Sequence, residues 1–206
     1  MTLKRFETLK PWLEEKRVLD IGCVKHDWKQ HSRSDWIHGL IVEHSREAIG
    51  IDISEEGVAE LANRGYTIQM ANAEDFYLET DFDVLFAGEL IEHLENLKGF
   101  LNSCKKHMRA DSKLIITTPN SFGIVYFVAR LLGINFVNSE HTCWFDEQTL
   151  EQLLNRHGIE VIHKAFLPIY STNISGVQNA ILKIIESMFP GKFRATLFIV
   201  SRIKQP

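Results

Sequence analysis

Short apolar runs recur along the chain, and the first two close on an acidic residue. Val18-Leu19-Asp20-Ile21-Gly22-Cys23 is the first, answered by Ile49-Gly50-Ile51-Asp52-Ile53. Runs of this length bounded by turn residues read as buried strands. The pattern predicts strands over Arg17 to Ile21, Ala48 to Ile53, Tyr66 to Ala71 and Phe82 to Gly88. Three more follow over Ser112 to Thr118, Ile159 to Ala165 and Ala195 to Ser201.

Helical spacing fills the intervals. Phe6, Leu9, Trp12 and Leu13 give a leading helix, in which Pro11 either breaks the helix or begins its second part. Ser34 or Asp35 caps a helix through Trp36, Leu40 and Ile41. Ser54-Glu55-Glu56-Gly57 opens a helix to Asn63, stopped by Gly65. Asn96 to Met108 is helical, and Asp146 caps a helix that turns Leu150, Leu153 and Leu154 inward. Phe122 to Leu132 is apolar almost without interruption, which predicts burial or a partner surface.

Strands and helices alternate from the first strand to the fifth, which calls for right-handed crossovers and a doubly wound sheet. Residues 166–193 break the rhythm with one helix, Val177 to Met188, ended near Pro190-Gly191. That excursion is expected to form a lid or a dimer surface. The whole chain, 1–206, fits one domain with a full core.

Composition narrows the partners. Net charge is −4, from 23 basic and 27 acidic residues with no basic run or stripe, so no nucleic-acid surface is expected. Cys23, Cys104 and Cys143 are odd in number and far apart, which argues against a disulfide scaffold or a zinc cluster. The N-terminus turns charged before any long apolar run, unlike a signal peptide. Phe122 to Leu132 is too short to span a bilayer and is interrupted by Arg130. The expectation is a cytoplasmic protein without stable membrane insertion, with a homodimer as one use of the excursion.

Two strand ends carry the chemistry. Open α/β sheets bind ligands in the crevice outside the carboxyl ends of their strands. Gly22, just past the first strand, allows a close backbone approach. Asp52, ending the second, offers two oxygens that can accept both hydroxyls of a ribose. The pairing points to a nucleoside-bearing cofactor.

Taken in order, these segments resemble class I S-adenosylmethionine-dependent methyltransferases, of the small-molecule type that includes quinone-pathway O-methyltransferases. Leu19-Asp20-Ile21-Gly22-Cys23 resembles the first cofactor motif and Gly50-Ile51-Asp52 the second. Asn72-Ala73-Glu74-Asp75-Phe76 resembles the stretch bordering the adenine, and Phe82-Asp83-Val84 the fourth strand. Glu89-Leu90-Ile91-Glu92-His93-Leu94 resembles the turn after it. Ile116-Thr117-Thr118-Pro119-Asn120 and His141-Thr142-Cys143-Trp144-Phe145 resemble later segments. The resemblance covers roughly residues 17–165 and is carried by order and spacing rather than by any one piece. One departure stands out: the family usually continues glycine-x-glycine, whereas Val24 occupies the second glycine position.

The resemblance implies a Rossmann-like, seven-stranded, mostly parallel sheet with helices on both faces and an antiparallel last strand. It implies S-adenosylmethionine as cofactor, a small-molecule acceptor, and methyl transfer to an oxygen nucleophile by in-line displacement. Asp20, Gly22, Asp52, Ile53, Asn72, Ala73, Glu74, Ala87 and Gly88 are its expected cofactor contacts. Asp20 would meet the methionyl ammonium directly or through water, and Glu74 the adenine amine or a helix terminus; Ala87 and Gly88 would end the fourth strand at the cofactor, where small residues leave room and backbone carbonyls could receive the ammonium. His93, His141 and Glu92 are the candidate catalytic residues, with a purely structural role as the alternative for each histidine. Glu89, Glu92 and His93 at i, i+3 and i+4 would share one face of a helical turn. In some quinone-pathway relatives a similar group is associated with a divalent metal; the spacing alone is common, and no metal is expected here. The remaining histidines, His26, His31 and His38 among them, have no ordered ligand spacing. Tyr126, Phe127, Trp144 and Tyr170 are candidates to line a flat acceptor's pocket.

Two rival functions remain. Val24 and the apolar Phe122 to Leu132 segment would also suit a cofactor-binding scaffold or regulatory subunit without turnover. A nicotinamide-dependent dehydrogenase shares the strand–glycine–helix start, but the full GxGxxG fingerprint is missing.

Overall fold

The computed structural model describes residues 3–24, 36–135, 137–168 and 176–205. Its elements run α1 (Leu3–Leu9), β1 (Arg17–Ile21), α2 (Ile37–His44), β2 (Glu47–Asp52), α3 (Glu55–Asn63), β3 (Ile68–Met70) and β4 (Phe82–Gly88). They continue with α4 (Leu97–Lys106), β5 (Met108–Pro119), α5 (Ile124–Leu131), α6 (Glu147–Arg156), β6 (Ile159–Leu167), α7 (Gly176–Ser187) and β7 (Thr196–Ile203).

The seven strands form one sheet in the order β3-β2-β1-β4-β5-β7-β6. Pairings among β1 to β5 are parallel, whereas β7 runs antiparallel between β5 and β6. The Rossmann-like sheet with an antiparallel last strand is therefore present. The chain leaves β1 toward β2 and β3 on one side, then returns to add β4 on the other. That reversal opens a crevice at the carboxyl ends of β1 and β4, where such sheets take their ligands.

Alternation along β1 sorts its side chains between two layers. Leu19 and Ile21 join Phe100, Leu101 and Ile116 in one core. Val18 joins Phe6, Leu9, Leu13, Ile41 and Phe198 in the other. Asp20 shares Val18's face, a fact that decides its role below.

Several boundaries shift for local reasons. Pro11 begins a 3₁₀ turn, Lys10–Trp12, directly after α1, so the leading segment is two short helices. Ser54 caps α3 through the Gly57 amide, and Asp146 with Thr149 forms a reciprocal capping box on α6. β5 starts at Met108 rather than Ser112. Its register is irregular opposite Phe82 to Val84, and exposed Arg109, Ala110 and Asp111 give that bulge the polarity of a turn. α5 buries Val125 and Ala129 but leaves Phe127 and Leu131 in solvent. The caps expected at Ser34 or Asp35 lie outside the described residues. Among those described, no helix is long and apolar enough to cross a membrane.

Candidate active site

A cleft of about 320 Å³ opens where β1 and β2 end, within the size range of small-molecule sites. Gly22 lies on its floor with φ at 77°, a left-handed backbone that glycine adopts without strain. Its N–H donates to the Ile51 carbonyl at 2.8 Å, which pins the turn after β1 onto β2. A Cβ at Gly22 would come 3.1 Å from Leu90 Cδ1, so the cleft wall also presses on this position.

Asp52 faces the same space. Its Oδ2 accepts the Val24 amide and its Oδ1 the Ser54 amide, each at 2.9 Å. Those bonds fix the carboxylate's orientation and leave each oxygen lone-pair capacity for a further donor. Burial raises the Asp52 pKa, and the two amides oppose the rise. Beside it the Ile53 side chain is 71% exposed and lines the cleft, an apolar surface suited to a flat ring.

The opposite rims are clasped together. Asn72 Oδ1 accepts the Glu74 amide at 2.9 Å, which shapes the turn through Ala73. Glu74 Oε1 accepts the amides of Glu95 and Asn96 at 2.7 and 2.8 Å, just ahead of α4. Asn72, Ala73 and Glu74 form one wall, and Leu90, His93, Leu94 and Glu95 the other.

Of the expected cofactor contacts, Gly22, Asp52, Ile53, Asn72, Ala73 and Glu74 converge on this cleft, joined by His93. Three do not line it. Asp20 is buried on the α2 side of β1, where its Oδ2 lies 2.9 Å from His38 Nδ1. The strand alternation that sends Leu19 and Ile21 one way sends Asp20 the other, so a direct side-chain contact with a ligand in the cleft is not what the fold provides. Ala87 is fully buried in register with Ile21. Gly88 pairs with Thr117, and a Cβ there would meet the Phe86 ring at 2.6 Å, so its smallness serves packing. Leu90, Leu94, Glu95 and Ala71 also line the cleft and were not among the expected contacts, although Leu90 and Leu94 lie within the Glu89 to Leu94 segment and Glu95 and Ala71 directly beside a motif. The Val24 departure is accommodated locally: its side chain fills the gap left by Gly57. His26, His31 and Tyr170 fall outside the described residues.

Next to the cleft lies an acid–histidine cluster. Glu92, His93 and His141 bring ligand-capable atoms within 4.8 Å of one another. Thr142 holds His141 there, because its amide donates to the Glu92 carbonyl at 2.8 Å and its hydroxyl to the Leu94 carbonyl at 2.9 Å. The two imidazoles meet edge to face, 4.7 Å between centroids. Thr118 donates to Glu92 Oε2 at 2.9 Å, while Glu92 Oε1 and His141 Nδ1 are buried without a partner among the described residues. Burial and the nearby Glu89 carboxylate push the Glu92 pKa up to about 8. Burial and the facing His93 lower that of His141. The group can pass a proton, and its two imidazoles and one carboxylate also suit a divalent cation. Glu89 is not part of it. That residue takes φ 54°, lies outside the 3₁₀ turn Ile91–His93, and pairs with Arg5 at 2.9 Å. His141 occupies the place expected for Glu89.

Beyond the histidines a second cavity, about 470 Å³, is lined by Tyr126, Phe127 and Trp144 with Arg130 and Asn135. Trp144 stands 6.3 Å from His141, so the histidine pair sits between the two cavities.

Comparison with known proteins agrees with this arrangement. The family profile for the methyltransferase domain matches residues 3–164. The human mitochondrial ubiquinone biosynthesis O-methyltransferase is 24% identical over 181 residues, covering 78% of this chain and 45% of that one. Its counterpart from Glaesserella parasuis is 27% identical over 139 residues, covering 59% and 52%. The chain thus spans about half the length of these curated relatives. A SAM-dependent methyltransferase structure from Archaeoglobus fulgidus superposes with a TM-score of 0.62 at 22% identity, over 97% of this chain and 91% of that one. The Synechocystis magnesium protoporphyrin IX methyltransferase with bound SAH gives 0.65 at 13% identity, over 98% and 83%. The chain belongs to the methyltransferase domain family.

Proposed function

We propose that the chain transfers the methyl group of S-adenosylmethionine to a small-molecule acceptor, through an oxygen nucleophile. The observation that carries this reading is the convergence of Gly22 and Asp52, from adjacent strand ends, on one cleft that His93 also lines. The residues fit the cofactor: Asp52 would accept the ribose hydroxyls, Ile53 would pack on the adenine, and Gly22 leaves backbone room beside them. When bound, the sulfonium supplies an electrophilic methyl group.

The chain's own work is alignment and proton handling. Tyr126, Phe127 and Trp144 would hold the ring of a flat, hydroxylated acceptor in the second cavity, with its hydroxyl reaching past the histidine pair to the methyl group in the cleft. His93, with His141 against its ring, takes the hydroxyl proton as the oxygen attacks. Glu92, fixed by Thr118, brings its carboxylate within 4.8 Å of both imidazoles. A divalent cation, if one is held, would bind Glu92, His93 and His141 and would polarise the same oxygen. In-line alignment supplies much of the rate in such a reaction, so a weak base suffices.

Calorimetric titration with S-adenosylmethionine and its demethylated product, beside NAD and NADP, tests the reading. Binding of the first pair alone is expected. Preference for a nicotinamide nucleotide would overturn it. Turnover against a panel of hydroxylated aromatics then tests the acceptor class, and tight binding with no product from any acceptor would leave a scaffold.

A further inference from the structure

We propose that Arg5 is a positioning residue that holds Glu89 out of the acid–histidine cluster, and that the cluster becomes a tighter divalent-cation site once Arg5 is removed. This rests on reading Glu92, His93 and His141 as the acceptor-side group. One guanidinium nitrogen of Arg5, on α1, donates to Glu89 Oε1 at 2.9 Å and to Thr196 Oγ1 on β7 at 2.6 Å. The Arg5 side chain is only 12% exposed, and its Nε is buried without a partner among the described residues. A buried pair of this kind gains little over apolar packing, so stability alone is a poor reason for a guanidinium here. Burial raises the Tyr126 pKa, Glu89 adds to the rise and Arg5 opposes it, which places the pair beside this wall of the second cavity.

The contact has a consequence for the Glu89 backbone. Its φ of 54° is a left-handed conformation that a residue with a Cβ adopts reluctantly. Leu90, the next residue, already has right-handed angles and leads into the 3₁₀ turn Ile91–His93. A right-handed Glu89 would extend that turn back by one residue, and the i, i+3, i+4 spacing would bring its carboxylate to the side of Glu92 and His93. Glu89 is already near: after burial, its charge is the largest influence raising the Glu92 pKa. Glu92 Oε1 and His141 Nδ1 are buried without partners among the described residues, and a second carboxylate beside two imidazoles strengthens such a group as a cation site. Arg5 opposes this twice. It occupies a Glu89 oxygen, and it sets a positive charge near the place a cation would take. An arginine 84 residues earlier thus separates Glu89 from the two residues its spacing would group it with.

Manganese(II) titration of the whole chain, followed by calorimetry and by the paramagnetic resonance signal of the free ion, tests the proposal. Arg5→Met should bind the ion ~10-fold or more tightly than wild type does. The gain should vanish when Glu89→Gln is added, and Arg5→Lys, which keeps the charge, should stay near the wild-type affinity. A merely structural role for Arg5 predicts no gain in any of these proteins. Arg5→Gln makes the same comparison with a polar side chain should Arg5→Met fail to fold, as its melting temperature would report. The proposal is overturned if the folded Arg5 variants bind manganese no more tightly than wild type, or if the gain survives Glu89→Gln. Neither cofactor nor acceptor is present in this measurement, so its failure would leave the methyl-transfer reading standing. S-adenosylhomocysteine binding by wild type tests that reading separately.

Discussion

Val24 occupies the space that a Cβ on Gly57 would need: a methyl group there would lie 2.4 Å from Val24 Cγ1. The same Val24 donates its amide to Asp52 Oδ2, so packing in the first turn of α3 is tied to the orientation of the cleft carboxylate. Gly57→Ala gains about 1 kcal/mol of helix propensity but overpacks at a typical cost of about 1–3 kcal/mol. Net destabilisation is expected, together with weaker S-adenosylhomocysteine binding as the Val24 amide is pushed from Asp52. Val24→Ala removes the offending methyl groups and should restore most of both losses in the double variant. The remainder reflects Ser54 Oγ, which would stand 3.0 Å from the new Cβ. Urea denaturation and calorimetry on the four proteins of the cycle check this, and additive effects would show that the two residues are not coupled.

Asp52 gives the sharpest test of the cleft. Asp52→Ala removes both acceptor oxygens and strands the Val24 and Ser54 amides, so affinity for S-adenosylhomocysteine should fall ~100-fold or more. The pH dependence follows from the raised pKa. In the free protein the protonated form favours folding, a contribution full below the ordinary aspartate value and lost as pH rises through the raised one. Ribose hydroxyls donate, so binding favours the ionised form. Affinity should therefore weaken as pH falls through a point above 3.8 and be level at higher pH. Asp52→Asn should bind weakly with no such step. A step of the same size in that variant would assign the titration to another group.

Local signals carried most of the fold and half of the site. Gly22 and Asp52 were legible because a strand end, its glycine and its acid lie within a few residues, and parallel pairing of β1 with β2 brings the two ends together. Asp20 looked equivalent to Asp52, but which face of β1 it occupies depends on the register of the whole core. Its partner, His38, sits in a helix with no spacing to announce it. Glu89 failed for a different reason. A left-handed backbone at a glutamate is not written in local propensity; here the Arg5 guanidinium, which also donates to Thr196 on β7, accompanies it from the other end of the fold. Leu90 and Leu94 carried a readable signal, since they flank the Glu92-His93 pair at i and i+4. The polar start of β5 read as a turn because a bulge there needs no apolar alternation.

The buried Asp20–His38 pair predicts a stability effect rather than a binding effect. Asp20→Ala leaves His38 Nδ1 without its partner in a site where His38 Nε2 already has none among the described residues. A loss of about 1–3 kcal/mol is expected on denaturation. Replacing both, with Asp20→Ala and His38→Leu, should cost less than the sum of the single changes. Cofactor affinity should fall far less for Asp20→Ala than for Asp52→Ala. Equal losses would restore a direct role for Asp20 in the cleft.

The histidine pair divides between cofactor and acceptor sides. His93 lines the cleft, whereas His141 does not and is held by Thr142 beyond it. His141→Asn should therefore leave S-adenosylhomocysteine affinity unchanged and lower kcat by ~10²-fold or more, if the pair handles the acceptor proton. His93→Asn should lower kcat at least as much and also perturb binding, because its ring faces the ligand space. Glu92→Gln keeps the Thr118 hydrogen bond and should fold, so its kcat reports the carboxylate itself. Titration of magnesium or zinc into the apoprotein separates the two chemistries open to this cluster. Heat absent from wild type supports proton handling alone. Metal binding that disappears in both Glu92→Gln and His141→Asn, with turnover lost to a chelator and restored by the metal, would instead make the three side chains a cation site, and the kcat losses would then measure ligand removal.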